Sequence, residues 1–132
     1  MVLSDQILNM IAQAACFALI ERKSDGRLIM ERAQVQKLLE VLEDTEEPKY
    51  VMAYVARQRG RKEIGNKTAS ALVNLLNTVS TKEEAKEALG LFKWFYEAGR
   101  DVPNIAQSLS RKCESISFID LINTILSRSI RM

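Results

Sequence analysis

No stretch of this chain alternates apolar and polar residues as a half-buried strand does; every periodic segment repeats at helical spacing instead. That pattern restricts the fold to helix packed on helix. It predicts an all-α, single compact bundle of six or seven helices spanning residues 1–132. The 132 residues, 47% of them apolar, are enough for one domain with a real core.

The first helix is expected from about Asp5 to Arg22, capped by Ser4. Its apolar residues (Ile7, Leu8, Ile11, Ala15, Phe17, Ala18, Leu19) cover most of the circumference and predict a central, buried helix. Gln13 interrupts the run Met10–Ile20 and no basic leader precedes it, so it reads as a core helix and not as a signal peptide. No apolar run reaches the roughly 18 residues of a membrane span, so no membrane partner is expected. Ser24-Asp25-Gly26 is a turn. A second helix, from about Met30 to Glu43, has Val35, Leu38, Leu39 and Leu42 as its inner stripe. Thr45 is expected to cap the third, with Glu46, Glu47 and Pro48 in its first turn. Asn66 opens a fourth through Leu72, Val73, Leu75, Leu76 and Val79. Ser80 and Glu83 form a capping box for a fifth that ends at Ala98 before Gly99. Asp101-Val102-Pro103 starts a short sixth helix to about Lys112. Ser117 opens the last, with the stripe Phe118, Leu121, Ile122, Ile125 and Leu126.

The third helix carries the most informative surface. Wound at roughly 100° per residue, Tyr50, Tyr54, Arg57 and Arg61 fall within roughly 60° of one another. Val51, Met52, Val55 and Ala56 take the opposite side. Rings that stack on bases and guanidinium groups that bind phosphates make this ridge suited to a nucleic-acid strand. Arg59 falls near the apolar arc, so either the helix leaves the core before it or its side chain reaches outward along its stem. Arg57, Arg59 and Arg61 would then fan around one helix end, with Gly60 and Gly65 letting backbone N–H groups approach phosphates. The competing reading is a basic helix C-terminus complementing the macrodipole, with the tyrosines as rim packing.

Charge distribution extends this. Net charge is only +2, yet residues 49–67 hold six cations (Lys49, Arg57, Arg59, Arg61, Lys62, Lys67) against Glu63 alone. Residues 40–47 hold Glu40, Glu43, Asp44, Glu46 and Glu47 and no cation. Such a dipolar layout can steer partners or drive head-to-tail self-association. On the fifth helix Lys82, Lys86 and Lys93 line up within roughly 40° as a secondary basic face, with simple solvation as the ordinary alternative. Trp94 falls on the polar side of that helix. It is expected to pack beneath a neighbouring helix of the same chain; left in water, it becomes a candidate interface anchor. Arg128 and Arg131 add a weak basic signal near the end.

Catalytic chemistry has little to stand on. The chain has no histidine, which removes the commonest general base and metal ligand. Cys16 and Cys113 are too few for a zinc site, and no phosphate-binding glycine loop is present. No enzyme, metal or cofactor is expected. Cys16, in Ala15-Cys16-Phe17, suggests a core thiol and a cytoplasmic location, while one bridge between the two cysteines stays open. The fourth and fifth helices have about the spacing of a helix-turn-helix DNA-binding regulator. The second of them would present Glu83, Glu84 and Glu87 to the groove, which phosphates repel.

Three segments carry a family resemblance: Gln34-Val35-Gln36-Lys37, then Tyr54-Val55-Ala56-Arg57-Gln58-Arg59-Gly60-Arg61, then Leu91-Phe92-Lys93-Trp94-Phe95-Tyr96-Glu97-Ala98. In this order, over roughly residues 34–98, the chain resembles the small helical subunit of CRISPR effector complexes, particularly of type III. The type I small subunit fits almost as well. The resemblance implies a non-catalytic protein, repeated along a guide RNA–target duplex, that stacks on neighbouring subunits and holds the backbone without reading bases. It implies Arg57, Arg59, Arg61 and Lys62 as phosphate contacts. Single-stranded nucleic acid, other effector subunits and further copies of the chain are the partners this reading names. The alternative is a helical protein–protein adaptor or oligomeric assembly module, with Trp94 and the acidic segment as its interface.

Overall fold

A computed structural model describes residues 2–130, with side chains to residue 127. It contains α1 (Asp5–Ile20), α2 (Arg32–Asp44), α3 (Pro48–Gly60), α4 (Asn66–Thr78), α5 (Lys82–Gly99), α6 (Ile105–Leu109) and α7 (Phe118–Ile130). The fold is an all-α bundle, with no strand among the described residues. The expected Ser24-Asp25-Gly26 turn is closed by a lone antiparallel bridge between Arg22 and Leu28, with Gly26 at φ 88°. No helix among the described residues is long and apolar enough to cross a membrane.

α1 is the central helix, as its all-round apolarity requires. Ile11, Ala12, Ala14, Ala15, Cys16 and Leu19 have no exposed surface. It packs on α4 and α5, and its other sides meet α6 and α7. α3 lies on α4, α2 lies on α5, and α2 and α3 touch, so the four form an arc running α4–α3–α2–α5 around α1. Small residues let the helices approach closely. A Cβ on Gly99 would press on Leu19 of α1, with Ile125 of α7 within ordinary contact. Tyr96, fully buried on α5, donates its hydroxyl to the Met30 carbonyl and pins the entry to α2. Burial raises the Tyr96 pKa, which keeps that hydroxyl a donor.

The helix ends show where local chemistry was decisive. Ser4 accepts from the Ile7 N–H at 3.2 Å, as a cap should. Ser117 and Asp120 bond reciprocally at the start of α7, and Asn9 of α1 accepts from the Phe118 N–H at 2.9 Å. Two expected caps are displaced. Thr81, not Ser80, caps α5 and accepts from the Glu84 N–H at 3.1 Å, while Glu84 reaches back to the Ser80 N–H at 2.7 Å. Thr45 does not cap α3. Its hydroxyl turns back to the Leu42 carbonyl at 3.2 Å and closes α2, leaving Glu47 before Pro48 at the α3 start. α6 is shorter than expected because Asn104 is left-handed (φ 60°), so a helix cannot run through from Pro103. On α7, Leu121 and Ile125 are buried, Phe118 and Ile122 are half-buried, and Leu126 stands in water. Arg128 and Arg131 lie outside the residues whose side chains are described.

Cys16 and Cys113, both buried, form a disulfide. It ties the middle of α1 to the segment between α6 and α7.

Candidate nucleic-acid interface

The inner line of α3 is Pro48, Val51, Val55 and Gln58. Val51, Val55 and Gln58 are the i, i+4, i+7 positions of one helical stripe. The core-facing side is therefore turned from the expected one. Met52 is half-buried and Ala56 is exposed, whereas Gln58 is sealed in. The ridge beside it survives that rotation. Tyr50 is 61% exposed, Arg57 and Arg61 are exposed, and Tyr54 is half-buried.

Three members of the ridge share a cleft. Tyr54, Arg57 and Arg61 line a space of about 470 Å³ between α2, α3 and the turn after α1. Lys23, Lys37 and Lys62 bring its cations to five, facing two carboxylates, Glu31 and Glu63. Lys62 is held at φ 63° just beyond the helix end. The carboxylates only partly neutralise the site. Lys23–Glu31 and Arg61–Glu63 are both long pairs at 3.8 Å, and each partner is substantially exposed. Such pairs are weak and leave the guanidinium and ammonium groups available.

Under the cleft lies a polar chain. Gln58 donates to Glu63 at 3.1 Å and to Gln34 at 2.8 Å, and Gln34 donates to the Tyr54 hydroxyl at 3.0 Å. Both glutamines are buried, so these bonds satisfy amides that would otherwise be costly in the core.

The remaining candidates lie elsewhere. Arg59 is exposed on the other flank of α3 and reaches Asn66 at 3.3 Å; it does not fan with Arg57 and Arg61. Its side chain does leave the core. Lys67 sits over the Phe17 ring, 5.9 Å from its centroid. Of the two lysines that follow Arg61, Lys62 joins the cleft and Lys67 does not. Gly65 does not receive a phosphate either. The Glu21 carboxylate fills that place, accepting from the Lys67 N–H at 3.0 Å, the Thr68 N–H at 2.8 Å and the Thr68 hydroxyl. A Cβ on Gly65 would overlap that carboxylate. The anion-binding end of α4 is thus occupied by the chain's own anion. Glu21→Ala should destabilise the fold by about 2 kcal/mol, since it strips a charge-assisted cap and leaves the buried Thr68 hydroxyl short of its acceptor. Chemical denaturation would measure this; an unmoved midpoint would refute the cap.

The secondary basic face is engaged inside the molecule. Lys82 donates to the Glu43 carbonyl at 3.0 Å, Lys86 pairs with the Glu43 carboxylate at 2.9 Å, and Lys93 donates to Gln36 at 3.1 Å. The Lys86 hydrogen bond and charge hold the Glu43 carboxyl below its ordinary pKa. These lysines bolt α5 to α2 and draw the acidic segment onto the fold. Trp94 is not covered by a neighbouring helix: it is 69% exposed. The helix-turn-helix arrangement is also missing, because α4 and α5 pack on α1 and scarcely touch each other.

Gln34, Gln58 and Glu63 escaped sequence reasoning as site residues. The stripe 51–55–58 marks Gln58 as inward, and that signal was available. Lys23 and Lys37 come from separate segments, and only tertiary packing brings them to α3.

Comparison with protein-family models, with curated proteins and with solved structures gives no match.

Proposed function

We propose that this protein is a non-catalytic small subunit of a ribonucleoprotein effector of the CRISPR kind, which holds a nucleic-acid backbone without sequence preference. The observation that carries the reading is the α2–α3 cleft, where five cations surround the edge of a tyrosine and outnumber two loosely paired carboxylates. A phosphate chain is the ligand that such a surface suits, because each phosphate exchanges condensed counterions for fixed protein charge. Tyr50, exposed one turn before Tyr54, offers a ring for base stacking. Nothing in this arrangement reads base edges, so pairing with a guide would supply the sequence choice. The reading places the protein in the cytoplasm. The Cys16–Cys113 bridge then fits a cytosol that tolerates disulfides, as in hyperthermophiles.

Binding of single-stranded RNA and DNA homopolymers, followed by fluorescence anisotropy across a salt series, tests the proposal. The expected result is measurable affinity at low salt, similar for different base compositions, falling linearly on a log–log plot. Salt-independent binding, or strong preference for one duplex sequence, would refute it.

A second reading has its own observation. Trp94, Ile119 and Leu126 are 69%, 60% and 54% exposed. They lie on α5 and α7, the two helices joined by the edge-to-face contact of Phe95 and Phe118 at 5.1 Å. Large apolar groups left in water on neighbouring helices favour a subunit contact. It is compatible with the first reading if copies stack along a nucleic acid, and replaces it if they assemble without one. Trp94→Ala is expected to weaken self-association at least tenfold in sedimentation velocity at high salt, where charge contacts are screened. The same distribution of species in variant and parent would remove Trp94 from the interface.

A further inference from the structure

The direction of the polar chain beneath the cleft can be deduced from its ends. A carboxylate only accepts hydrogen bonds and a guanidinium only donates them. Gln58 lies between one of each. Its Nε2 faces Glu63 at 3.1 Å and its Oε1 faces the Arg57 Nη1 at 3.5 Å. Reversing the amide would set oxygen against carboxylate and NH₂ against guanidinium, so the orientation is fixed from both sides. The same Nε2 donates to Gln34 Oε1 at 2.8 Å, which leaves Gln34 Nε2 as the group that faces Tyr54. That nitrogen donates to the Tyr54 oxygen at 3.0 Å. The hydroxyl oxygen is therefore an acceptor in this chain, and its own hydrogen must point away from Gln34. Among the described residues no group accepts it. The cleft walls supply Lys23, Lys37, Arg57, Arg61 and Lys62 as donors, and their two carboxylates are engaged elsewhere, Glu31 by Lys23 and Glu63 by Arg61 and Gln58.

We propose that the Tyr54 hydroxyl is a hydrogen-bond donor to a phosphate oxygen held in the α2–α3 cleft, its direction set by Glu63 through Gln58 and Gln34. This rests on the reading of the cleft as a seat for a nucleic-acid backbone, and gives it a specific polar contact. Tyr54 then serves by its hydroxyl, and Tyr50 by its ring. Glu63 has a double part. It lowers the positive charge of the cleft and orders the donor that faces the ligand, so it is a positioning residue. A side-chain network anchored on two buried amides, Gln34 and Gln58, holds its outer donor ready with little reorganisation at binding.

Tyr54→Phe separates the two uses of the residue, since it keeps the ring and removes the donor. With a labelled deoxythymidine 12-mer at 0.1 M salt, the variant should bind roughly tenfold more weakly, the loss of one hydrogen bond to a charged group. Its salt slope should match that of the parent, because no charge is lost. In a Glu63→Gln background only the long Arg57 contact, at 3.5 Å, still favours this orientation, so the chain can reverse and the same change should weaken binding less than about threefold. A second arm titrates inorganic pyrophosphate and follows the Tyr54 ring by NMR of ¹³C-labelled tyrosine. Oligonucleotide binding that Tyr54→Phe leaves unchanged would overturn the donor and spare the cleft. Pyrophosphate bound in a Tyr54-dependent way, with no oligonucleotide binding, would sustain the donor and overturn the nucleic-acid role. Binding of neither probe would overturn both. A tenfold loss that persists in the Glu63→Gln background would overturn the part given to Glu63.

Discussion

Opening the Cys16–Cys113 bridge should lower the stability of this protein by roughly 4–5 kcal/mol, the largest effect expected of any change at two positions. The bridge spans 97 residues of a 132-residue chain, so it closes most of the unfolded polymer into one loop. The chain-entropy account gives about 4.7 kcal/mol for a loop near 100 residues. For a domain of this size that corresponds to a fall in melting temperature on the order of 15 °C. The location sharpens the expectation. Cys16 is fully buried on the central helix, and Cys113 lies between α6 and α7. Without the bond the C-terminal segment is held to α1 and α5 by Ile105, Leu109, Ile116, Leu121 and Ile125, by the Phe95–Phe118 contact and by the Asn9 bond to Phe118. Amide exchange should therefore accelerate first in α6 and α7. Melting curves of the oxidised and reduced protein, and of Cys16→Ala/Cys113→Ala, make the comparison. Alanine suits position 16 because it adds no polar group to a fully buried site, so the double variant reports the lost bond. Coincident oxidised and reduced curves would mean that the thiols do not pair in solution. The cleft is built from α2, α3 and the turn after α1, none of which carries a cysteine, so binding at low temperature should survive reduction.

Helices were legible wherever the signal was local and repeated. α1 reads as central because apolar residues surround it, and it is. Asn66 and Ser117 mark their helix starts correctly because a helix start depends on a few neighbouring residues, whereas Gly99 lies inside α5, where its lack of a side chain serves the packing on Leu19. Thr45 and Ser80 failed for a related reason: two adjacent polar residues compete for one cap, and the choice depends on packing that brings Thr81 and Pro48 to the helix start. Tyr54, Arg57 and Arg61 share a cleft because they share a helical stripe, which the spacing alone gives. Arg59 falls in the expected apolar arc because that arc takes in Met52 and Ala56 beside Val51 and Val55, when Gln58, a polar residue, belongs to the inner line. The i, i+4, i+7 spacing from Val51 places Gln58 inward while hydropathy speaks against an amide there; Gln34 and Glu63, from other segments, satisfy it. Trp94 shows the limit in the other direction. An aromatic ring on a polar face has the same sequence signature whether a neighbouring helix covers it or not.

Replacing Arg57, Arg61 and Lys62 together by alanine should reduce affinity for a single-stranded oligonucleotide about 100-fold at 0.1 M salt. The estimate follows from counterion release: each phosphate contact contributes about 0.7 to the log–log slope on single strands, so three contacts contribute about two decades at that concentration. The slope itself should fall by about 2, and this is the more diagnostic number, since misfolding changes amplitude and not slope. The three residues lie at the exposed end of α3 and on its C-terminal turn, away from the buried line Pro48, Val51, Val55 and Gln58, so the helical signal should persist. The structure also supplies a matched control. Arg59→Ala/Lys67→Ala removes two cations from the same basic stretch, but from the flank where Arg59 meets Asn66 and Lys67 covers Phe17. That pair should cost less than about threefold and leave the slope nearly unchanged. The comparison separates two accounts that the sequence alone does not distinguish. If the basic stretch acts as a diffuse cloud of charge, the two sets should weaken binding in proportion to the cations removed. If the cleft is the seat, the first set should dominate. Equal loss per cation in both variants would reject the cleft, because only geometry distinguishes them.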